Sequence, residues 1–321
     1  MKSENYLDPF LDFLFDVLGH SAGNALDLSR ARFDSTSIRS YDMWIASDSE
    51  PPERNMHWLL IHLYYLTLKY TPSLTKTWSI DCKSKQTRVA VSSWTERYFS
   101  PLVIEDTLDD VSKWAGEQEP TEDEKELQIK VSKRSREVFA SYEVDDTNMQ
   151  IVIRLPAVYP LEGVKVDGVN RVAVDEKKWT SWLMITQAVI TFSVSAFLSS
   201  LSLFSTSVPS NIYIYISFLS FRTPTNLLPF QNGSITDGLV TFHKNVSGAL
   251  KGHTECAICY SIISSDKKVP DKRCQTCKNL FHSSCLFKWF ASSNQSTCPL
   301  CRNPFNYGMV RTEQRRRGGG A

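Results

Sequence analysis

Four pairs of metal-ligand residues crowd one short stretch: Cys256-x2-Cys259, Cys274-x2-Cys277, His282-x2-Cys285 and Cys298-x2-Cys301. Of the eight cysteines in the chain, seven are here, and only Cys82 lies elsewhere. A Cys-x2-Cys pair on a tight turn directs two sulfurs at one tetrahedral ion, at about 2.3 Å each, and leaves two coordination positions open. Pairs must therefore combine, and four pairs close two sites, each with four protein ligands. Sites filled in this way are structural rather than hydrolytic. Thiolate and imidazole in a tetrahedral frame select zinc, so two Zn²⁺ are expected. Spacing alone permits either a sequential or an interleaved pairing.

A disulfide framework is the competing reading of eight cysteines. Against it stands His282, placed where a ligand is missing. The start Met1-Lys2-Ser3-Glu4-Asn5 also leads into an acid-punctuated segment, not the apolar core of a signal peptide.

The ligand order is four Cys, one His, three Cys, an order that PHD fingers and RING domains share. A PHD finger carries a Trp two residues before its seventh ligand, and Ser296 stands there. An apolar residue between the first two ligands, a Trp shortly after the sixth and a Pro after the seventh are RING features. Ile258, Trp289 and Pro299 occupy those places, and Arg302 follows the last ligand. The segment resembles a RING. The resemblance implies interleaved sites, with Cys256, Cys259, His282 and Cys285 on the first zinc and Cys274, Cys277, Cys298 and Cys301 on the second. It also implies that Ile258, Trp289 and Pro299 form an apolar platform for a ubiquitin-conjugating enzyme. Arg302 then donates hydrogen bonds to that enzyme and to its ubiquitin. No covalent catalytic residue is expected, because orientation supplies the rate. The plainer reading makes Trp289 and Ile258 core residues and Arg302 a solvated surface cation.

Upstream, Leu7, Phe10, Leu11, Phe13, Leu14, Val17 and Leu18 recur at helical spacing over 5–18, with Gly19 as the stop. Residues 20–55 are polar, contain Pro51-Pro52 and read as a long loop. Met56–Tyr70 reads as a helix with Leu59, Leu63, Leu66 and Tyr70 on one face, and a third helix covers Ser92–Phe99. His57 and His62 lack ligand-spaced partners and read as structural. These pieces suit the end of a helical array over 1–115, followed by an acidic linker over 116–126.

From Leu127 the period becomes two. Ile129 and Val131 alternate, as do Val138, Ala140 and Tyr142, then Met149, Ile151, Ile153 and Leu155, with Val164 and Val166 after them. This predicts an antiparallel meander with one buried face. A helix carrying Trp179 and Trp182 starts near Asp175, and an amphipathic helix follows through Ile235, Leu239, Phe242, Val246 and Leu250. Strands followed by helices give an α+β sandwich over 127–250. With Tyr159-Pro160 it resembles the RWD domain, a relative of the conjugating-enzyme fold, although Val164 replaces the usual second proline. The chain has no cysteine between Cys82 and Cys256, so this domain cannot carry ubiquitin as a thioester.

Between the two helices, 193–230 is rich in Ser, Phe, Leu and Ile and holds no charge before Arg222. It reads first as an insertion, with translated intron sequence as one origin. A membrane span is the weaker alternative, because Pro209 and many serines divide the run; native core is the third. Beyond the zinc segment (251–306), 307–321 carries Arg315-Arg316-Arg317 and three glycines, a disordered basic tail. Net charge is only +1, so no bulk attraction to nucleic acid is visible.

Taken together, a HEAT-like helical remnant, an RWD-like sandwich and a RING in this order resemble the C-terminal end of the listerin family. The residues that carry the likeness are Cys274–Phe290, Ser293–Arg302 and Arg136-Glu137-Val138 with Tyr142. The resemblance implies a cytosolic, ribosome-associated ubiquitin ligase. Its implied partners are a conjugating enzyme with ubiquitin, the large ribosomal subunit with a stalled nascent chain, and ribosome quality control complex proteins. A membrane is not among them.

Overall fold

The computed structural model describes residues 6–49, 51–117, 127–145, 147–191, 233–250 and 253–305. The acidic linker from 118 on, the 193–230 stretch and the basic tail lie outside the described residues.

Seven helices come first: α1 (Leu7–Val17), α2 (Ser35–Arg39), α3 (Met43–Ser49), α4 (Pro52–Tyr70), α5 (Pro72–Asp81), α6 (Lys85–Tyr98) and α7 (Ser100–Gly116). α1 ends as expected. Gly19 has φ +80, and a Cβ there would lie 2.4 Å from the Asn24 carbonyl oxygen. The region read as a long loop holds α2 and α3, and Asp34 caps α2 by accepting the Ser37 amide at 2.8 Å. Pro51-Pro52 is a helix start rather than a loop marker, because proline's missing N–H costs nothing in the first turn. α5 and α7 begin the same way and were not expected; Ser92–Phe99 lies largely within the longer α6.

The α4 face also differs. Its buried residues are Leu60, Ile61, Tyr64, Tyr65 and Leu68, whereas Tyr70 is 65% exposed. Two tyrosines turn inward because each hydroxyl finds a partner there: Tyr64 bonds Thr95 Oγ1 at 2.7 Å, and Tyr65 donates to the Asp106 carboxylate. The helices enclose a core of their own through Leu14, Phe15, Tyr64, Trp94 and Phe99. α7 is shared, with Val103 facing that core and Ile104, Leu108 and Val111 facing the next domain.

That domain is a four-stranded antiparallel sheet in the order β1 (Leu127–Ser132), β2 (Glu137–Val144), β3 (Thr147–Arg154), β4 (Lys165–Asn170). The alternation read in the sequence is buried along β2 and β3, at Val138, Ala140 and Tyr142, then Met149, Ile151 and Ile153, and Val144 extends it. Two helices cover this face, α8 (Glu176–Thr191) and α9 (Ile235–Leu250). Asp175 caps α8 through the Lys178 amide at 3.0 Å. A Cβ on Gly168 would lie 2.4 Å from Trp179 Nε1, so the missing side chain on β4 is what lets α8 sit down on the sheet.

The zinc-ligand segment follows with two short strands, β5 (Lys272–Arg273) and β6 (Leu280–Phe281), and one helix, α10 (Ser283–Ser293). Among the described residues no helix is long and apolar enough to cross a membrane.

Candidate functional site

Three of the four ligand pairs form the same backbone turn. The amide of the residue after the second cysteine donates to the first cysteine's carbonyl: Tyr260 to Cys256 at 2.8 Å, Lys278 to Cys274 at 3.0 Å, Arg302 to Cys298 at 3.0 Å. Each first cysteine's own amide donates across the turn, to Ser261, Asn279 and Asn303 respectively, at 3.0, 2.9 and 2.8 Å. Closing so tightly forces the residue after the pair into the left-handed region, with φ of 59, 63 and 62 at Tyr260, Lys278 and Arg302. The fourth pair uses a helix instead. His282 is the N-cap of α10, its carbonyl accepts the Leu286 amide at 3.0 Å, and Cys285 lies in the first turn.

These turns gather the ligands into two sets. Cys256, Cys259, His282 and Cys285 form one, and Cys274, Cys277, Cys298 and Cys301 the other; within each set all donor atoms lie within 4.8 Å of one another. The sets are interleaved along the chain. Tetrahedral zinc with sulfur at about 2.3 Å requires sulfurs about 3.8 Å apart. Cys274 Sγ lies 3.7 Å from Cys301 Sγ, and Cys277 Sγ 3.8 Å from Cys298 Sγ. In the other set His282 Nδ1 lies 3.3 and 3.8 Å from Cys259 and Cys285 Sγ, around the roughly 3.5 Å that one nitrogen and one sulfur ligand demand. The donor chemistry and spacing thus fit zinc at both places.

Electrostatics points the same way. Burial, with the neighbouring cysteines, pushes the thiols of Cys285 and Cys298 up to about 12. Burial opposes ionisation at Cys277 too, but the Asn279 backbone and side chain and two sulfur neighbours hold it down to about 6. Packed thiols in either set give up protons unevenly unless a cation gathers their charge.

The imidazole is fixed from behind. His282 Nε2 lies 3.1 Å from the Ile262 carbonyl oxygen, which can only accept. The proton therefore sits on Nε2, leaving Nδ1 as the lone-pair donor toward the sulfurs. Sequence reading missed Ile262 in this role, because a backbone carbonyl carries no residue signature.

The predicted contact residues spread over the same unit. Ile258 lies in the first turn, half-buried against the cysteine-lined core with Phe281, Leu286 and Phe305. Trp289 on α10 donates Nε1–H to the Thr297 carbonyl at 3.0 Å, latching the helix to the last turn. The exposed Arg302 places its guanidinium carbon 5.5 Å from the Trp289 ring centre. Pro299 is half-buried beside them in sequence, and Leu300, not singled out from the sequence, is 49% exposed in the same turn. Cys82 stands apart, its Sγ 3.6 Å from the Ser84 carbonyl oxygen.

Comparison with known proteins matches this architecture along the chain. Residues 1–112 match the LTN1 family HEAT repeat region, 127–209 the ubiquitin conjugating domain-like family, and 254–302 the Ring finger domain. The E3 ubiquitin-protein ligase listerin of Neurospora crassa is 49% identical across 100% of this chain, which spans 18% of that relative. The listerins of Schizosaccharomyces pombe and Saccharomyces cerevisiae are 34% and 31% identical over 96% and 94% of the chain, which spans 16% and 17% of them. The chain thus spans less than a fifth of the length of these relatives. With helical region, sheet domain and RING matched in one order, the chain belongs to the listerin family.

Proposed function

We propose that this chain carries the ligase end of a ubiquitin-transfer machine. Cys256, Cys259, His282 and Cys285 would hold one zinc, and Cys274, Cys277, Cys298 and Cys301 a second. Bound there, zinc supplies structural cross-links and gathers the thiolate charge. The rest is work for the chain's own residues. Ile258, Trp289 and Pro299 offer apolar contact to a ubiquitin-loaded conjugating enzyme. Arg302 donates from its fork to that enzyme and to ubiquitin together, restricting the thioester to geometries open to attack. A substrate lysine amine then forms the isopeptide bond, and the conjugating enzyme's cysteine leaves as the thiol. The sheet domain has no thiol for a relay and serves to bind or to brace.

The observation that carries this reading is Arg302. It follows the last ligand directly, its backbone is left-handed, and its exposed guanidinium places its carbon 5.5 Å from the Trp289 ring centre, beside the four-cysteine set. From the family likeness, the substrates are nascent chains stalled on large ribosomal subunits, in the cytosol with quality control complex proteins.

The test is discharge of ubiquitin from a loaded, promiscuous conjugating enzyme to free lysine, using the whole chain. A charge-assisted hydrogen bond is worth about 1.5–3 kcal/mol, so Arg302→Gly, which keeps the left-handed turn, is expected to slow discharge by roughly 10- to 100-fold. Ile258→Ala is expected to slow it about tenfold at low conjugating-enzyme concentration. Metal content should stay unchanged in both. Wild-type discharge no faster than the enzyme alone, with both metals bound, overturns the ligase reading in favour of a PHD-like binding module.

The same proposal treats 193–230 as an insertion. A Cβ on Gly233 would lie 1.9 Å from the Val189 carbonyl oxygen, so the chain leaves and re-enters beside the end of α8. Excising 193–230 and joining Phe192 to Gln231 shortens the connection between Thr191 and Gly233, which lowers the entropic cost of closing it by about 2 kcal/mol. Urea unfolding of the excised chain is expected to show that gain. Failure to fold would make the stretch native core.

A further inference from the structure

A carboxylate of the sheet domain holds the loop that backs the first metal centre. Asp145 ends β2 at the turn into β3, with φ 51. Its Oδ2 accepts the amides of Ile262 and Ile263 at 2.8 and 2.9 Å, from residues more than a hundred positions away. Ile263 is buried in the sheet-domain core, and Ile262 packs against it. The loop is seated at a second point, where Ala173 N–H donates to the Lys267 carbonyl at 2.9 Å and Lys267 Nζ to Asn170 Oδ1 at 3.0 Å.

One peptide unit joins this anchor to the metal ligands. The Ile262–Ile263 peptide gives its N–H to Asp145, and its carbonyl accepts Nε2–H of His282 at 3.1 Å. A carboxylate on one end of an amide draws electron density toward the carbonyl oxygen and makes it a stronger acceptor. A stronger acceptor behind Nε2 makes Nδ1 a better donor to metal and holds the ring in one direction.

We propose that Asp145 is a positioning residue for the first metal centre, acting through the Ile262–Ile263 peptide on His282, so that the sheet domain sets the metal retention of one RING site and not the other. The inference rests on the zinc reading above. Among the described residues the four-cysteine centre has no histidine ligand for such a relay to act on, and all its ligands come from two closed turns.

The test measures metal release from the whole chain into excess chelator. Cobalt(II) substitution identifies the sites, because three sulfurs with one nitrogen absorb differently from four sulfurs. Asp145→Gly removes the carboxylate yet suits the left-handed turn. It is expected to speed release from the histidine-containing centre about tenfold and leave the four-cysteine centre unchanged. Asp145→Asn keeps an acceptor oxygen but not the charge, and is expected to fall between, about threefold faster. Lys267→Ala loosens the second anchor point and should change neither rate.

Equal acceleration at both centres, or the same loss in Lys267→Ala, means general loosening and overturns the proposal. So does unchanged release in Asp145→Asn together with Asp145→Gly. Should Asp145→Gly fail to fold, Asp145→Asn decides alone, and wild-type release at both centres overturns it. A wild-type chain that binds no metal instead brings down the zinc reading, and this inference with it.

Discussion

Zinc chelation is expected to unfold residues 254–305 while α1–α7 and the four-stranded domain stay folded. The unit has little else to hold it. The apolar cluster around the ligands is Cys256, Cys274, Cys298, Phe281, Leu286 and Phe305, so half of it consists of metal-ligand candidates, and the buried Ile263 belongs to the sheet-domain core instead. Its regular structure is two strands of two residues each and one helix of 11 residues. Such a core cannot offset the conformational entropy of some fifty ordered residues, at about 1 kcal/mol or more each. Structural zinc contributes on the order of 10–16 kcal/mol per site, which is folding free energy here. Hydrogen exchange before and after chelation reads the effect directly. Amide protection should vanish at Tyr260, Lys278 and Arg302, whose N–H groups close the three turns, and persist along β2 and β3. Cys298→Ser should act like chelation at the four-cysteine centre. Protection retained across all three turns without metal would show a core that stands alone and would sink the zinc reading.

What was legible in the sequence follows from the range of the interaction. The ligand pairs could be read because Cys-x2-Cys is a local geometry, while their interleaving rested on the RING resemblance; the meander could be read because period two is local as well. Long-range partners left no such trace. α4 turns Tyr64 and Tyr65 inward toward Thr95 and Asp106, 31 and 41 residues on, and a hydropathy face drawn through Leu59 and Leu63 misses them. α5 and α7 went unread, although Pro72 and Pro101 stand in their first turns, where a proline suits a helix. Tyr260, Lys278 and Arg302 take left-handed conformations with no glycine to announce them; the closed turn imposes the angle. Asp145 stands among the polar residues Asp145-Asp146-Thr147-Asn148 between two strand patterns, and only the fold brings it to Ile262.

Phe242→Ala is expected to destabilise the sheet domain by about 3–5 kcal/mol, a large share of the stability of a domain this size. Phe242 lies on α9, after the 193–230 stretch and ahead of the RING. A helix in that position could be a mere connector, and its phenylalanine would then matter little. The packing says otherwise. Phe242 is 0% exposed and meets the Trp179 ring edge-on at 6.1 Å between centres. Ile235, Leu239 and Val246, its neighbours at helical spacing, are buried in the same core, and a Cβ on Gly238 would lie 2.4 Å from Ile190 Cγ1. α9 therefore completes the layer that α8 begins, and truncating its central ring opens a cavity between two helices and the sheet. Thermal unfolding of the sheet domain should fall by on the order of 15 °C. Lys244→Ala, an exposed change on the same helix, should move stability by no more than about 0.5 kcal/mol. A second consequence follows from the Asp145 anchor. Because the β2–β3 turn holds Ile262 and Ile263, loosening the sheet should also raise exchange in the 262–268 loop while the turn around Cys298 stays protected. A Phe242→Ala chain that melts with the wild type would make α9 a linker and detach it from the sandwich.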